Sequence, residues 1–383
     1  MRPYLVIEWN DTQTDAVGWL CIFNYIKGYT GGGVRMHPSV TREEVIRLAE
    51  VMAYKRNVIG NDRQGGCKSG IVYDYKAPDA YEVLKRFFIA MRPYVELGVV
   101  MGSDLGTTIP DIYRICDEIG MPRRCVTKSM KNDPVVQKGL NDVATLMKTE
   151  YRPGWLVNDV VTGFGAAFCA DEGWKQMKGA PGAEVIVQGF GCVGMSAVRK
   201  MADLGYKITG ISDANCFVYS KNGLNVESLI KNVLPRGEMD RTKFDSSWEV
   251  LPNSEWISKP CDIFIPAALA DVIDGNNASD FKGKLISEGA NIPVTEEADA
   301  ILHKKGVHVV PDFVANAGAI RYLYTVTFGV VPAEPDAVVD DIDVQFRKNV
   351  DNLFKKSLET GRYERELALE LFKPTIQDQP ECC

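Results

Sequence analysis

Apolar residues in the first part of the chain recur with the short period of strands and then with the period of a helix. Val6–Trp9 and Gly18–Phe23 are typical of strands, and the turn-rich segment Asn10–Thr14 separates them. Thr41 and Glu44 have the spacing of a capping box, in which two side chains satisfy backbone N–H groups at a helix start. A helix is therefore expected to begin here.

The buried face of that helix contains a lysine. Val45, Leu48, Met52 and Lys55 follow one another at helical spacing, so Lys55 is expected on the apolar face. Burying an ammonium group without a partner is costly. Lys55 therefore needs a functional explanation.

Strands and helices alternate after residue 154. The pattern predicts helices at Asn158–Gln176 and Val193–Leu204 and strands at Glu184–Val187, Lys207–Ile211, Ile263–Pro266, Leu285–Ser287 and Val307–Val310. This alternation is typical of a parallel, doubly wound sheet with helices on both faces. After Pro332 the chain becomes polar and helical, at Val339–Glu359 and Tyr363–Phe372.

We therefore expect an α/β protein of two domains. The first covers residues 1–150, and the second, a Rossmann-type dinucleotide-binding domain, covers residues 151–334. The sequence does not decide whether the helices of residues 335–383 pack back on the first domain.

Composition and charge narrow the class of protein. The 383 residues are 45% hydrophobic and 25% charged, as in a soluble globular protein. A net charge of −7 argues against a nucleic-acid partner or an anionic membrane surface. No apolar run approaches the ~20 residues of a membrane span, and Met1–Trp9 is too polar for a signal peptide. A cytoplasmic protein is expected.

The cysteines and histidines do not indicate a metal site or a disulfide framework. Ten cysteines occur without a CxxC pair, and the three histidines lack the spacing of metal ligands. They are Cys21, Cys67, Cys116, Cys125, Cys169, Cys192, Cys216, Cys261, Cys382 and Cys383. We expect unpaired thiols in a reducing compartment and no metal.

A glycine motif follows one predicted strand and opens the next helix. It comprises Gly189, Phe190, Gly191, Cys192, Val193 and Gly194, a GxGxxG pattern whose glycines let pyrophosphate approach the N-terminus of a helix. Asp213 ends the next strand, where an acidic residue can accept hydrogen bonds from the adenosine ribose. That residue favours NAD over NADP unless a cation lies nearby. The alternative is a glycine-rich turn with a solvated aspartate.

Three glycine-rich segments of the first domain contain charged residues. They are Gly31–Met36, Gly65–Gly70 with Lys68, and Gly102–Thr108 with Asp104, and Lys55 precedes the second. Oxidation of an amino acid needs a cation for the α-carboxylate, a lysine that handles amine and water, and a carboxylate that moves protons.

These segments make the chain similar to the glutamate/leucine/phenylalanine/valine dehydrogenase family. The resemblance extends over Gly31–Phe328 and includes the motifs GGxRM, MxYK, GGxK, DxGT, TGFG, EGAN and NAG, in that order around the glycine motif. It implies reversible, NAD(P)-dependent oxidative deamination, with hydride transfer from the substrate Cα and hydrolysis of the resulting imine. It also implies a homo-oligomer assembled through the first domain.

The resemblance implies roles for particular residues. Lys68 is expected to activate water and stabilise the carbinolamine, Asp104 to act as acid and base, and Lys55 to hold the α-carboxylate. Thr162, Ala267, Asn291 and Asn316 are expected at the cofactor. In the family the lysine that holds the α-carboxylate usually lies one residue closer to the catalytic lysine than Lys55 lies to Lys68. Arg56 would fit that interval, so it is the alternative to Lys55. Two plainer interpretations are a surface Lys68 on a glycine turn and an Asp104 that caps a helix near Thr107.

The positions that face the substrate side chain indicate an apolar, roomy pocket. Glutamate-specific members have a lysine before GG and a serine after NAG, and the matching residues here are Gly31 and Leu323. With Gly32, Gly102 and Ile320 they favour a large neutral amino acid and disfavour glutamate. Gln64 keeps a polar substrate in contention, and Arg321 has no evident role.

Two rival classes are weighed against a dehydrogenase. A sensor of amino acid or dinucleotide would not need both Lys68 and Asp104. An amine or imine reductase would not need a cation for the carboxylate.

Overall fold

The chain folds into two units, each built on its own β-sheet. The computed structural model describes residues 2–123, 133–234 and 237–374. The first unit comprises Met1–Gln137 with Phe372–Cys383, and the second comprises Lys138–Leu371.

A five-stranded mixed sheet forms the centre of the first unit. Its strands are β1 (Leu5–Asn10), β2 (Val17–Ile22), β3 (Thr30–Met36), β4 (Gly65–Val72) and β5 (Val99–Ser103), in the order β1-β2-β4-β3-β5. β2 is antiparallel to both β1 and β4, whereas β3 is parallel to both β4 and β5. The glycine-rich segments are therefore neighbouring strands.

In the described part of the first unit, three helices accompany this sheet: α1 (Arg42–Val58), α2 (Ala80–Glu96) and α3 (Ile109–Glu118). The expected start of α1 is confirmed, because the Thr41 hydroxyl accepts a hydrogen bond from the backbone N–H of Glu44 at 3.1 Å. α1 passes directly over β4, since a Cβ atom on Gly66 would lie 2.2 Å from the backbone nitrogen of Ala53. Gly66 thus lets the helix approach closely enough to carry its side chains over the sheet.

The second unit contains a seven-stranded sheet and two short hairpins. Its strands are β6 (Glu150–Arg152), β7 (Trp155–Leu156), β8 (Glu184–Gln188), β9 (Lys207–Ser212), β10 (Phe217–Tyr219), β11 (Val233–Leu234), β12 (Glu238–Met239), β13 (Glu249–Leu251), β14 (Ile263–Pro266), β15 (Leu285–Ser287) and β16 (His308–Val310). The large sheet has the order β13-β10-β9-β8-β14-β15-β16, while β6 pairs with β7 and β11 with β12. The expected parallel sheet is confirmed for its five strands from β9 to β16, and β10 and β13 add an antiparallel edge.

Helices of the second unit follow the predicted pattern closely. They are α4 (Pro134–Leu146), which begins just before the unit boundary, α5 (Val157–Gln176), α6 (Cys192–Asp203), α7 (Val226–Lys231), α8 (Glu296–Lys304), α9 (Asp312–Ala315), α10 (Gly318–Thr327), α11 (Pro335–Thr360) and α12 (Glu364–Leu371). No helix among the described residues has the length and apolar character needed to cross a membrane.

The division into units differs from the expected boundary at residue 150. The chain passes from one unit to the other at residue 137, and α11 and α12 belong to the second unit. Phe346 and Phe354 of α11 explain this placement, because they pack into the space left by Gly165 and Gly173 of α5. The terminal segment from Phe372 is grouped with the first unit, and Asn57 Nδ2 donates to the carbonyl of Lys373 at 2.7 Å. Residues 375–383 lie outside the described part.

Candidate active site

Lys68 and Asp104 meet at one face of the first sheet. Lys68 lies on β4 and is 5% exposed, and Asp104 directly follows β5. The Lys68 ammonium forms an ion pair with the Asp104 carboxylate. Neither plainer interpretation holds, since Lys68 is part of a buried strand and Thr108, whose hydroxyl accepts from the N–H of Asp111, caps α3.

A second cation lies beside Asp104. Arg35 Nε lies 3.4 Å from Asp104 Oδ2, and Arg35 Nη1 lies 2.5 Å from Glu44 Oε1. Burial by itself raises the pKa of Asp104, but the charges of Lys68 and Arg35 outweigh it and hold that pKa well below its usual range. Asp104 is therefore a carboxylate at neutral pH.

Arg56 and Gln64 occupy the space over Gly31. A Cβ atom on Gly31 would lie 2.4 Å from Gln64 Nε2 and 3.3 Å from Arg56 Nη2. The expectation of an apolar pocket at Gly31 is therefore wrong, because an amide and a guanidinium fill the position that a larger side chain would take. Sequence reasoning had noted both residues, but it did not place them together.

Arg56 is a buried cation without a carboxylate. It is 6% exposed, and Nη2 donates only weakly, to the carbonyl of Gly31 at 3.5 Å. Its Nε atom is buried without a hydrogen-bond acceptor, and no ion pair of Arg56 occurs in the part of the chain that the structure describes. Burial lowers the pKa of Arg56 to about 10. Lys55 is likewise 6% exposed on α1.

The remaining predicted pocket residues differ in their surroundings. A Cβ atom on Gly102 would have its nearest neighbour at 3.8 Å, so space is open there. One on Gly32 would lie 1.7 Å from the carbonyl oxygen of Cys67, so this glycine is required by the packing of β3 against β4. Ile320 and Leu323 are half-buried on α10 of the second unit.

Arg321 is accounted for within the second unit. Its guanidinium forms a two-pronged ion pair with Asp341, with Nε–Oδ2 at 2.7 Å and Nη2–Oδ1 at 2.6 Å. This pair joins α10 to α11. The interaction explains the residue without a substrate.

The glycine motif forms a cradle at the start of α6. Gly189 has φ +102°, and a Cβ atom on Gly194 would lie 1.9 Å from the carbonyl oxygen of Gly189. Gly191 precedes α6 without a side-chain cap, and Cys192 is exposed. The first N–H groups of the helix are thus available to an anion. The residues present fit the pyrophosphate of a dinucleotide.

The Asp213 carboxylate accepts three hydrogen bonds from the protein backbone. Its Oδ1 accepts from the N–H groups of Asn215 and Cys216, and its Oδ2 accepts from that of Met239, each at 2.8 Å. It is 7% exposed, so the alternative of a solvated aspartate is wrong. Its contact with the ribose stays a prediction.

The residues expected at the nicotinamide half are clustered in the second unit. Asn316 Nδ2 donates to the carbonyl of Ala290 at 2.8 Å and to Asn291 Oδ1 at 3.2 Å. Asn316 Oδ1 is buried without a partner, as an acceptor for a carboxamide N–H would be. Ala267 donates from its backbone N–H to the carbonyl of Gln188 at the end of β8, and Thr162 is half-buried on α5.

Thiols and candidate metal ligands add no further site. The seven described cysteines are unpaired, and Cys192 is the exposed one among them. Cys125, Cys382 and Cys383 lie outside the described residues. Within the described ranges, no three His, Cys, Asp or Glu side chains are grouped as metal ligands.

Comparison with known proteins gives the same assignment from two halves of the chain. Residues 5–121 match the model of the Glu/Leu/Phe/Val dehydrogenase dimerisation domain, and residues 154–366 match that of glutamate/leucine/phenylalanine/valine dehydrogenase. The NADP-specific glutamate dehydrogenase of Saccharolobus shibatae is 34% identical over 79% of this chain and 69% of its own. The NAD-specific glutamate dehydrogenase of Staphylococcus aureus is 31% identical over 80% of this chain and 71% of its own.

Solved structures show the same fold. The hetero-hexameric glutamate dehydrogenase of Thermus thermophilus, in a leucine-bound form, superposes with a TM-score of 0.75 and 22% identity, covering 97% of this chain and 87% of that one. Fold, glycine cradle and relatives together define an NAD(P)-dependent amino-acid dehydrogenase, an oxidoreductase. The chain belongs to the glutamate/leucine/phenylalanine/valine dehydrogenase family.

Proposed function

We propose that this dehydrogenase reversibly deaminates an L-α-amino acid to its 2-oxo acid and ammonia at Lys68 and Asp104. The observation that carries the proposal is the buried ion pair between these side chains. When bound, the dinucleotide supplies the acceptor for the hydride that leaves the substrate Cα. The protein's side chains move protons at the substrate nitrogen and hold the attacking water.

Asp104 is the proton carrier in this proposal. Its carboxylate is ionised at neutral pH and lies in contact with Lys68, which places a proton-accepting oxygen at the reacting centre. When water adds to the imine, its proton passes to the substrate nitrogen, and the adjacent Lys68 ammonium donates a hydrogen bond to the oxygen of the resulting carbinolamine. An acid and a base therefore stand in contact at the reacting centre.

Arg56 supplies a cation for a carboxylate of the substrate, the role that the resemblance had assigned to Lys55. A buried guanidinium with an unused N–H group is strongly stabilised by an anion. Lys55 keeps that role as a second hypothesis. A variant of Lys55 and a variant of Arg56 that each lose one positive charge separate the two hypotheses.

The substrate we place first is glutamate, which reverses the preference drawn from the sequence. Two relatives from separate organisms are named glutamate dehydrogenases, and the amide donor of Gln64 over Gly31 favours a side chain that ends in an acceptor. The open space at Gly102 favours a large neutral amino acid as the second candidate.

The assembly is also a proposal. Residues 5–121 match a dimerisation domain, and the Thermus thermophilus relative is hexameric. We infer a homo-oligomer assembled through the first unit. NAD is the cofactor to test first, with NADP beside it.

The proposal is tested by following reduced-cofactor absorbance at alkaline pH with each of the twenty amino acids and with NAD or NADP. We expect turnover with one or a few amino acids and its loss in Lys68→Ala. Lys138→Ala, an exposed lysine on α4, serves as the control and should behave as wild type. Binding of dinucleotide without turnover of any amino acid would favour a sensor, and turnover of simple amines would favour a reductase.

A further inference from the structure

The loop after β15 contains a strained residue. Ile292 has φ +45°, a left-handed conformation that a β-branched side chain strongly disfavours. It stands between Asn291, expected at the nicotinamide, and Pro293. A conformation of this cost persists only where surrounding contacts hold it.

Three buried acidic side chains lead from that loop into the interior. The N–H of Ile292 donates to Asp312 Oδ2 at 2.9 Å, and the N–H of Asp312 donates to Glu288 Oε2 at 2.7 Å. Glu288 is 0% exposed and Asp312 1% exposed. Asp299, on α8, lies nearby at 6% exposure. The loop's conformation therefore depends on how the Glu288 carboxylate is held.

Arg365 of the last helix holds that carboxylate. Its Nη2 lies 2.5 Å from Glu288 Oε1, and its Nε lies 2.9 Å from Asp299 Oδ2. One planar guanidinium thus spans two carboxylates, in a geometry that the single ammonium of a lysine does not reproduce. Burial raises the pKa of Glu288, and the charge of Arg365 opposes that effect. Without that cation, the carboxylates would repel one another in a poorly solvated space.

We propose that Arg365 is a positioning residue for the nicotinamide half of the cofactor, acting through Glu288, Asp312 and Ile292. The inference rests on the proposed function, because it places the Asn291 loop at the nicotinamide. It adds a role for the last helix that none of the sequence motifs indicates. The adenosine end is held by other elements, so the two ends of the cofactor should respond differently to a change at Arg365.

The helix provides its own control at the preceding residue. Glu364 Oε1 lies 2.6 Å from His308 Nδ1 and also accepts from the hydroxyl of Ser357 at 2.6 Å. This second attachment ties α12 to β16 and α11 through side chains other than those of Glu288 and Asp312. His308→Gln keeps a donor for Glu364 and leaves the ion pair of Arg365 with Glu288 in place.

The test compares two ligands that differ only in the nicotinamide. The first is the reduced cofactor that wild type prefers, NADH or NADPH. The second is the matching compound without nicotinamide, ADP-ribose or its 2′-phosphate. Dissociation constants are measured by fluorescence or calorimetry on the full-length protein. For Arg365→Met we expect the reduced cofactor to bind about tenfold more weakly and the ADP-ribose compound within about twofold of wild type. Arg365→Lys should recover part of the loss, and His308→Gln should change neither constant.

Equal weakening of both ligands would show that Arg365 acts only on stability, and unchanged binding of the reduced cofactor would equally overturn the inference. If Arg365→Met does not fold, Glu288→Gln replaces it, since it keeps the shape of the side chain and loses its charge toward Arg365. Failure of wild type to bind any of the four ligands would instead overturn the proposed function.

Discussion

At the scale of single residues, the arrangement of charged side chains determines the chemistry available at the first sheet. Glu44, Arg35, Asp104 and Lys68 form a chain of alternating negative and positive groups in a poorly solvated space. Each buried charge is matched by an opposite one, as the cost of desolvation requires. The described residues give Arg56 no carboxylate partner, and a substrate carboxylate would supply that counter-charge.

Asp104→Asn should lower kcat by about 10²–10⁴-fold, because the amide keeps the shape of the carboxylate but accepts no proton at neutral pH. Steady-state kinetics with the amino acid identified in the screen measures the change. The dissociation constant of the reduced cofactor should stay near that of wild type. A variant that kept more than about a tenth of wild-type kcat would contradict the role of Asp104.

At the scale of elements, glycine determines how closely strands and helices approach. Gly66 lets α1 lie against β4, whereas Gly102 on β5 faces open space. The same residue type in two strands of one sheet therefore has two different purposes. Gly66 allows the close packing of α1, and Gly102 leaves room beside the site.

Gly66→Ala should destabilise the protein by about 3 kcal/mol, because the new methyl group meets the backbone of Ala53 and neither element yields easily. Gly102→Ala is the matched control, with an expected effect within about 0.5 kcal/mol. Thermal unfolding monitored by circular dichroism compares the two. Equal melting temperatures would mean that α1 moves away from β4 without cost.

At the scale of the whole molecule, the free energy of unfolding should depend on pH through the contact of Glu364 on α12 with His308 on β16. The hydrogen bond that the His308 ring donates to the Glu364 carboxylate raises the pKa of His308 above 6.5. A raised pKa in the folded state gives a stabilisation that is complete below the unfolded value of 6.5 and is lost as pH rises through the folded value.

His308→Gln should therefore lower the melting temperature more at pH about 6 than at pH about 9. Glutamine retains a donor for Glu364 but does not titrate, so the difference between the two proteins isolates the ionised histidine. Melting temperatures of both proteins across this range give the measurement. A difference that does not change with pH would show that the charge of His308 contributes nothing.

Much of the second unit could be predicted because its signals are local. The glycine motif, the strand before it and the helix after it are neighbours in sequence, and backbone sterics restrict their conformation directly. The preference for a neutral pocket is not supported, for the opposite reason. Gln64 and Arg56 lie more than twenty residues from Gly31 along the chain and reach it only through the packing of α1 on β4.

Capping, periodicity and glycine turns act between neighbouring residues, and these short-range effects account for the elements, the dinucleotide motif and the class of chemistry. Charge pairing acts through space and depends on burial, which no local pattern contains. The contact of Lys68 with Asp104, the burial of Arg56 Nε without an acceptor, and the ion pair of Arg365 with Glu288, 77 residues away, arise only when the strands and helices pack. Desolvation then makes the position of each partner decisive, because a charge removed from water is stable only beside its counterpart.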